Sequence, residues 1–173
     1  MQYQNDFSLF LKLRGEEILS GGRMVLSFMG RRTSDPTTEE SCYHWELLAH
    51  ALMSMVSEEK VDSFNAPYYA PCPEELKLEV EKVGSFIIDR LEAFEIDWDG
   101  GVDEDVNNTL GALSRGQRVA KTIRAVVESM VAHHFGNHIL DELFRRYAQT
   151  VGDYLSKTQA KYINLVISVI IKD

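Results

Sequence analysis

The chain has 173 residues, 18 Lys and Arg against 27 Asp and Glu, a formal net charge of −9 and 45% hydrophobic residues, the profile of one soluble globular domain. A domain of this length buries roughly 70% of the surface its unfolded chain exposes, so it needs neither disulfides nor a structural metal to hold together. The acidic balance excludes phosphate-led nucleic-acid binding, and the longest apolar run, Ile163 to Ile171, is too short to span a bilayer.

The N-terminus MQYQNDFSLF lacks a basic n-region and a small-residue cleavage site, so no secretory signal is expected. Phe7, Phe10, Leu11, Arg14 and Ile18 fall near helical spacing, and Ser20-Gly21-Gly22 ends that helix. The run RMVLSFM between Gly22 and Gly30 carries almost no charge and predicts a strand covered on both faces. Ser34-Asp35-Pro36 is a turn signal. Thr37 with Glu40 three residues on reads as a capping box, opening a helix with Trp45, Leu48, Leu52 and Val56 on one stripe.

Residues 57–73 hold three of the four prolines and several aromatics, and are expected to form an ordered loop of functional type. Pro73-Glu74-Glu75 starts a short helix with Leu76, Val80 and Val83 inward and Gly84 as its C-terminal cap. Ser85 to Trp98 predicts a long strand with both faces partly covered, and Asp99 to Asn108 an acidic, mobile surface loop. Helices are expected over 117–135, with Val119, Ile123, Val126 and Met130, and over 137–154, with Leu140, Phe144, Tyr147 and Val151, separated by Gly136. The chain ends in a strand, Lys161 to Ile171, with Ile163, Leu165, Ile167, Val169 and Ile171 on one face. The pattern is α/β, yet the first helix precedes any strand it could cross over from, so an upstream part of the sheet is expected to be missing. A sheet of this kind leaves a long apolar edge.

Local chemistry is sparse. His133, His134 and His138 approach a metal-binding spacing, but Gly136 interrupts them and no HExxH pattern is present, so histidines near a helix C-terminus are the simpler reading. There is no G-x-G-x-x-G, Walker A or G-x-S-x-G motif. Cys42 and Cys72 form no CxxC pair and no zinc spacing, which favours a reducing compartment such as the cytosol. Cys42-Tyr43-His44-Trp45, the loop 62–69 and Tyr162 supply many rings and few charges, which fits either plain core or a small-molecule pocket.

The runs DFSLFLKLRGEEILSGGRMVLSFMGRR, CYHWELLAHAL, EEKVDSFNAPYYAPCPEEL, EKVGSFIIDRLEAFEIDW, VAKTIRAVVESMVAHHFG and KYINLVISVI resemble, in order, the C-terminal half of the plant SABATH methyltransferases. Within that family FNAPYYAP, IDWDGG and RVAKTIRAVVES are most similar to jasmonate carboxyl methyltransferases. The resemblance implies S-adenosylmethionine as cofactor and a small aromatic or oxylipin carboxylic acid as substrate. Jasmonate is favoured, salicylate or benzoate being the alternative. It implies the C-terminal part of a class I, Rossmann-like methyltransferase sheet with a helical cap, forming a single partial domain. Its strands would lie near 23–29, 86–98 and 162–171 and its cap near 37–57 and 117–154. Homodimers are common in the family, so the resemblance allows a homodimer, while the apolar edge could produce a different association. The strands carrying the cofactor loop would lie upstream, so no cofactor-binding residue is assigned, and the isolated chain is expected to be inactive. A catalytically silent cap that associates with itself or with a full-length relative is the competing expectation.

Carried over residue by residue, the resemblance places Met29, His44, Trp45, Tyr69, Ile123, Val126 and Tyr162 on the acyl pocket, although His44 replaces the more usual apolar residue or amide. It also implies a magnesium ion held by Asp62, the carbonyl of Phe64 and Asn65, hard oxygen donors that suit it. No catalytic residue is expected, because a carboxylic acid with a pKa near ~4 is already ionised at neutral pH. Catalysis would rest on alignment and desolvation. A shorter connection between Val56 and Glu58 than the family's departs from the pattern.

Overall fold

The computed structural model describes residues 2–101 and 113–172. In chain order the elements are α1 (Gln2–Glu17), β1 (Arg23–Gly30), α2 (Glu39–Met53), α3 (Glu58–Asp62), α4 (Pro73–Val83), β2 (Phe86–Asp97), α5 (Arg115–Phe135), a 3-10 turn (Asn137–Ile139), α6 (Leu140–Leu155) and β3 (Lys161–Ile171). The chain divides into two compact units, one of Met1–Ser41, Tyr69–Glu95 and Tyr162–Asp173, the other of Cys42–Tyr68 and Ile96–Lys161.

The first unit is built on a three-stranded sheet in the order β1-β3-β2. β3 earns its central place through strict alternation: Ile163, Leu165, Ile167 and Val169 are all at most 1% exposed. β1 lies antiparallel to it, with Arg23 opposite Ile170 and Met29 opposite Asn164. On the far side Lys172 N–H donates to Ser85 O at 2.9 Å, joining the end of β3 to the entry of β2, so that pair is antiparallel as well.

One face of this sheet carries the core. Phe7 and Leu11 from α1, Leu76 and Val80 from α4 and Phe86 from β2 bury against the odd-numbered residues of β3. Each fully buried aliphatic side chain contributes about 1.5–3 kcal/mol by leaving water. α4 is held at both ends, by a capping box between Cys72 and Glu75 with Pro73 in its first turn, and by Gly84 at φ 79°. The buried Ser8 hydroxyl of α1 donates to Glu79 of α4, so the two helices share a polar contact inside an apolar interface.

The other face differs from expectation. β1 is covered on one side only: Arg23, Val25 and Ser27 are exposed, Val25 at 61%. β2 likewise leaves Ile87 at 54% and Phe94 and Ile96 near its end at 46% and 45%. Low charge in RMVLSFM therefore does not mean burial on both faces, since the open face carries Arg23 and Ser27 beside Val25.

The second unit is helical. α5 and α6 pack along buried stripes, Val119, Ile123, Val127, Val131 and Phe135 on one and Leu143, Phe144, Tyr147 and Val151 on the other. Leu47, Leu48, Ala51 and Leu52 of α2 are buried too. Ser114 caps α5 through a reciprocal pair with Gln117, and Gly136, at φ 94°, breaks the chain before the 3-10 turn.

Four local expectations are corrected. α2 starts at Glu39 rather than Thr37; the Thr37 hydroxyl donates to Asp35 at 2.7 Å and Glu40 accepts from Arg32 at 3.0 Å, so the local turn takes the groups a capping box needs. The loop over 57–73 contains the short helix α3. Asp99 is buried rather than part of a mobile surface loop, because Arg115 and Arg118 close on it; residues 102–108 of that expected loop lie outside the described residues. Val126 is 55% exposed, and its neighbour Val127 takes the inward position.

Candidate functional site

The residues proposed for a pocket fall into three structural groups, each within one unit. Met29 and Tyr162 share the sheet face opposite the α1–α4 core. Met29 pairs with Asn164, two residues from Tyr162, which makes them diagonal neighbours across β1 and β3. Met29 is half-buried and Tyr162 is 8% exposed.

In the helical unit His44 and Trp45 lie on α2 among other rings. The His44 ring centroid is 5.7 Å from Trp45, 5.9 Å from Trp98 and 6.4 Å from Tyr68, and Trp45 lies 4.9 Å from Tyr68. The Tyr147 hydroxyl of α6 donates to His44 O at 3.3 Å, fixing the backbone of this turn. Burial alone pushes the His44 imidazole down to about 4, so at neutral pH it is uncharged. A neutral ring neither attracts nor repels an organic anion by charge. Ile123 is buried in the helical core at 5%, whereas Val126, one turn on, faces outward.

Tyr69 belongs to the first unit and has a different setting from Tyr68 beside it. Its hydroxyl donates to Glu75 Oε1 at 2.6 Å, its ring stacks on Tyr3 with centroids 4.4 Å apart, and the Arg31 guanidinium sits 5.3 Å from its ring centre. Burial and the bond to Glu75 raise the Tyr69 phenol above its ordinary value. Burial pushes the Glu75 carboxyl up, but bonds from Tyr69, the Cys72 N–H and Arg31 outweigh it and hold the group below the usual carboxylate range. Tyr69 thus has its phenol committed internally and presents ring surface only.

Sequence reasoning included Tyr68 only within the loop 62–69 and singled out neither Trp98 nor Arg31 as a site residue. Tyr68 and Trp98 surround His44, and their only sequence signal is aromatic density in 64–69 and at the end of β2. Arg31 is 4% exposed, and a buried Arg leaves no local signature in sequence.

The ion expected at Asp62, Phe64 and Asn65 is poorly provided for. Asp62 and Asn65 are exposed, and the three residues offer at most one carboxylate, one carbonyl and one amide, far from the octahedron of oxygens magnesium demands. These residues do not fit the ion by themselves. His134 Nε2 lies 3.1 Å from Lys60 O and 3.2 Å from Ser63 Oγ, and its ring packs on Phe64, so it is engaged in holding this loop. Among the described residues no group of three or more His, Cys, Asp or Glu is arranged to bind a metal.

The connection after α2 is well anchored. Met55 and Val56 N–H both donate to Leu52 O, at 2.8 and 3.0 Å, and Arg146 of α6 donates to Ser54 O and Oγ at 3.0 and 2.9 Å.

A family model described as SAM dependent carboxyl methyltransferase matches residues 1–172. The chain belongs to this family. It is 67% identical, over 99% of its length and 48% of the relative's, to the probable jasmonic acid carboxyl methyltransferase 2 of Theobroma cacao. That alignment runs over 179 positions, more than the 173 residues here, so the relative carries residues this chain lacks. Identity to the jasmonate O-methyltransferase of Arabidopsis thaliana is 54%, over 98% of this chain and 46% of that one. A solved structure, loganic acid methyltransferase with SAH, superposes with a TM-score of 0.80 at 29% identity, covering 99% of this chain and 48% of its own. The chain therefore spans about half the length of the curated relatives it matches. These matches bear out the expected family and the methyltransferase sheet.

Proposed function

We propose that the chain is the acyl-pocket half of an S-adenosylmethionine-dependent carboxyl methyltransferase that converts jasmonate to its methyl ester. The observation that carries this reading is the likeness to jasmonate enzymes along nearly the whole chain, at 67% and 54% identity. The cofactor supplies the methyl group; the residues here act on the acid. Within the first unit Met29, Tyr69 and Tyr162, and within the second His44, Trp45, Ile123 and Val126, are the side chains proposed to strip water from the carboxylate and restrict its orientation.

No general base is required, because the acid is already ionised at neutral pH. The uncharged His44 suits that role: a charged imidazole would hold the carboxylate in place of releasing it to react. With a net charge of −9 the chain gives an organic anion no long-range attraction, so orienting donors must come from the cofactor-binding half. Salicylate and benzoate remain the competing acids, since pocket differences of only ~1 to 3 kcal/mol decide between similar apolar substrates. The two free cysteines agree with a reducing compartment. No helix among the described residues is long and apolar enough to cross a membrane.

The test is methyl transfer from labelled S-adenosylmethionine to jasmonate, salicylate and benzoate, by this chain alone and mixed with the cofactor-binding half of the cacao relative. Transfer only in the mixture, with jasmonate fastest, is the expected result. Transfer by the chain alone would overturn the division of labour, and none in the mixture would overturn the proposed activity.

A second reading, a silent cap that pairs with itself or with a full-length relative, is favoured by the edge position of β1 among the described strands and the 61% exposure of Val25. Size-exclusion chromatography separates the two: a monomer that also ignores a full-length relative removes the second.

A further inference from the structure

We infer that Arg31 is the positioning residue that fixes the Tyr69–Cys72 segment across the end of β1, and with it the place of Tyr69 on the proposed acyl wall. The statement about the wall rests on the function proposed above; the statement about the segment stands on geometry alone.

Arg31 follows Gly30 at the C-terminal end of β1, the end at which open α/β sheets place their ligands. The backbone there is in close contact with the returning chain. A Cβ on Gly30 would lie 2.8 Å from Pro71 O, and Arg31 N–H donates to the same oxygen at 3.0 Å. The side chain then folds over the segment. Nη1 donates to Ala70 O, and Nη2 donates to Glu75 Oε1 at 2.9 Å, with Tyr69 Oη at 3.4 Å and Ser34 O at 3.5 Å. Glu75 completes the loop, accepting from Tyr69 Oη at 2.6 Å and from Cys72 N–H at 2.9 Å.

This arrangement excludes the more obvious role for a buried arginine beside a carboxylate pocket. Both Nη atoms are directed at internal acceptors, the charge is met by Glu75 and Nε is buried, so Arg31 presents no accessible fork to a substrate acid. What the fork does is join three parts of the chain: the end of β1, two residues beyond Met29; the backbone and phenol of the aromatic segment; and the first turn of α4. Lysine cannot substitute, since one ammonium does not span Ala70 O and Glu75 in a planar fork.

The closing experiment uses hydrogen exchange on the 173-residue chain and its Arg31→Ala and Arg31→Lys variants, with the amides of residues 31, 69, 70 and 72 compared against Leu165 and Ile167 of β3. The expected result is exchange faster by about tenfold or more at the first set with the β3 amides unchanged. Unchanged exchange at the segment, or equal acceleration in β3, overturns the proposal, the latter because Arg31 would then serve only global stability. If Arg31→Ala does not fold, Arg31→Lys carries the same comparison. In the mixture with the cofactor-binding half, Arg31→Lys is expected to raise KM for jasmonate more than it lowers kcat; a fall in kcat at constant KM overturns the link to the wall. A wild-type mixture that transfers no methyl group removes the proposed function, and the exchange comparison then decides the role of Arg31 alone.

Discussion

Gly116 and Gly152 meet backbone to backbone where the start of α5 crosses the end of α6: a Cβ on Gly116 would lie 2.8 Å from Gly152 N and closer still to Ala148 O. A Cβ on Gly152 meets Gly116 Cα only at 4.0 Å, an ordinary contact. Two glycines at one crossing therefore respond differently. Gly116→Ala is expected to lower stability by about 2 kcal/mol, because backbone atoms cannot move aside as a side chain would. Gly152→Ala is expected to be neutral or stabilising by up to about 1 kcal/mol, as a helix-interior glycine is replaced. Denaturant titration of both variants checks the asymmetry.

His44 makes stability depend on pH. Its folded pKa, about 4, lies below the ordinary 6.5, so the unfolded chain takes up a proton that the folded one refuses. Stability is full above about pH 6.5 and falls as pH drops toward 4, by about 2 kcal/mol at pH 5. Subtracting the profile of His44→Gln isolates this contribution from that of the carboxylates. A difference that is flat between pH 7 and 5 would mean the imidazole is hydrated in solution.

Asp99 and Arg118 have side chains 7% and 6% exposed, at 3.3 Å, with Arg115 adding a bond at 2.6 Å. Removing one charge strands the other. Asp99→Asn is expected to cost about 3 kcal/mol, far beyond a surface pair, and thermal unfolding measures it.

How much of this was legible in sequence depends on the range of the interactions involved. The five odd-numbered apolar residues of β3 declare their face by alternation alone, and α5 and α6 declare their extents by period. Asp99 does not, because the cations that bury it arrive 16 and 19 residues later and an acidic run looks solvated until they do. Val126 and Val127 are adjacent and equally apolar, so periodicity could not choose which one faces in. At the candidate site, Tyr68 and Tyr69 are sequence neighbours of one type, yet one joins His44 and Trp45 and the other Arg31 and Glu75; only the tertiary partners divide them.

Ile123 and Val126, both proposed for the acyl wall, differ in burial. Ile123→Ala is expected to destabilise the chain by about 2–4 kcal/mol, since it empties a site 5% exposed. Val126→Ala should stay within about 0.5 kcal/mol of wild type, being 55% exposed, and in the reconstituted enzyme should alter the ratio of jasmonate to salicylate turnover. An unaltered ratio would take Val126 off the acyl wall.

The order β1-β3-β2 also governs when this chain can fold. β1 and β2 each pair with β3 and not with each other, and Arg23 finds its partner at Ile170. Of the three strands described, β1 and β2 come first in the chain and are not joined to each other until Lys161–Ile171 follows them. Deleting β3 would therefore remove the one strand that links the other two, and shortening the chain there would leave two separate strands rather than a narrower sheet.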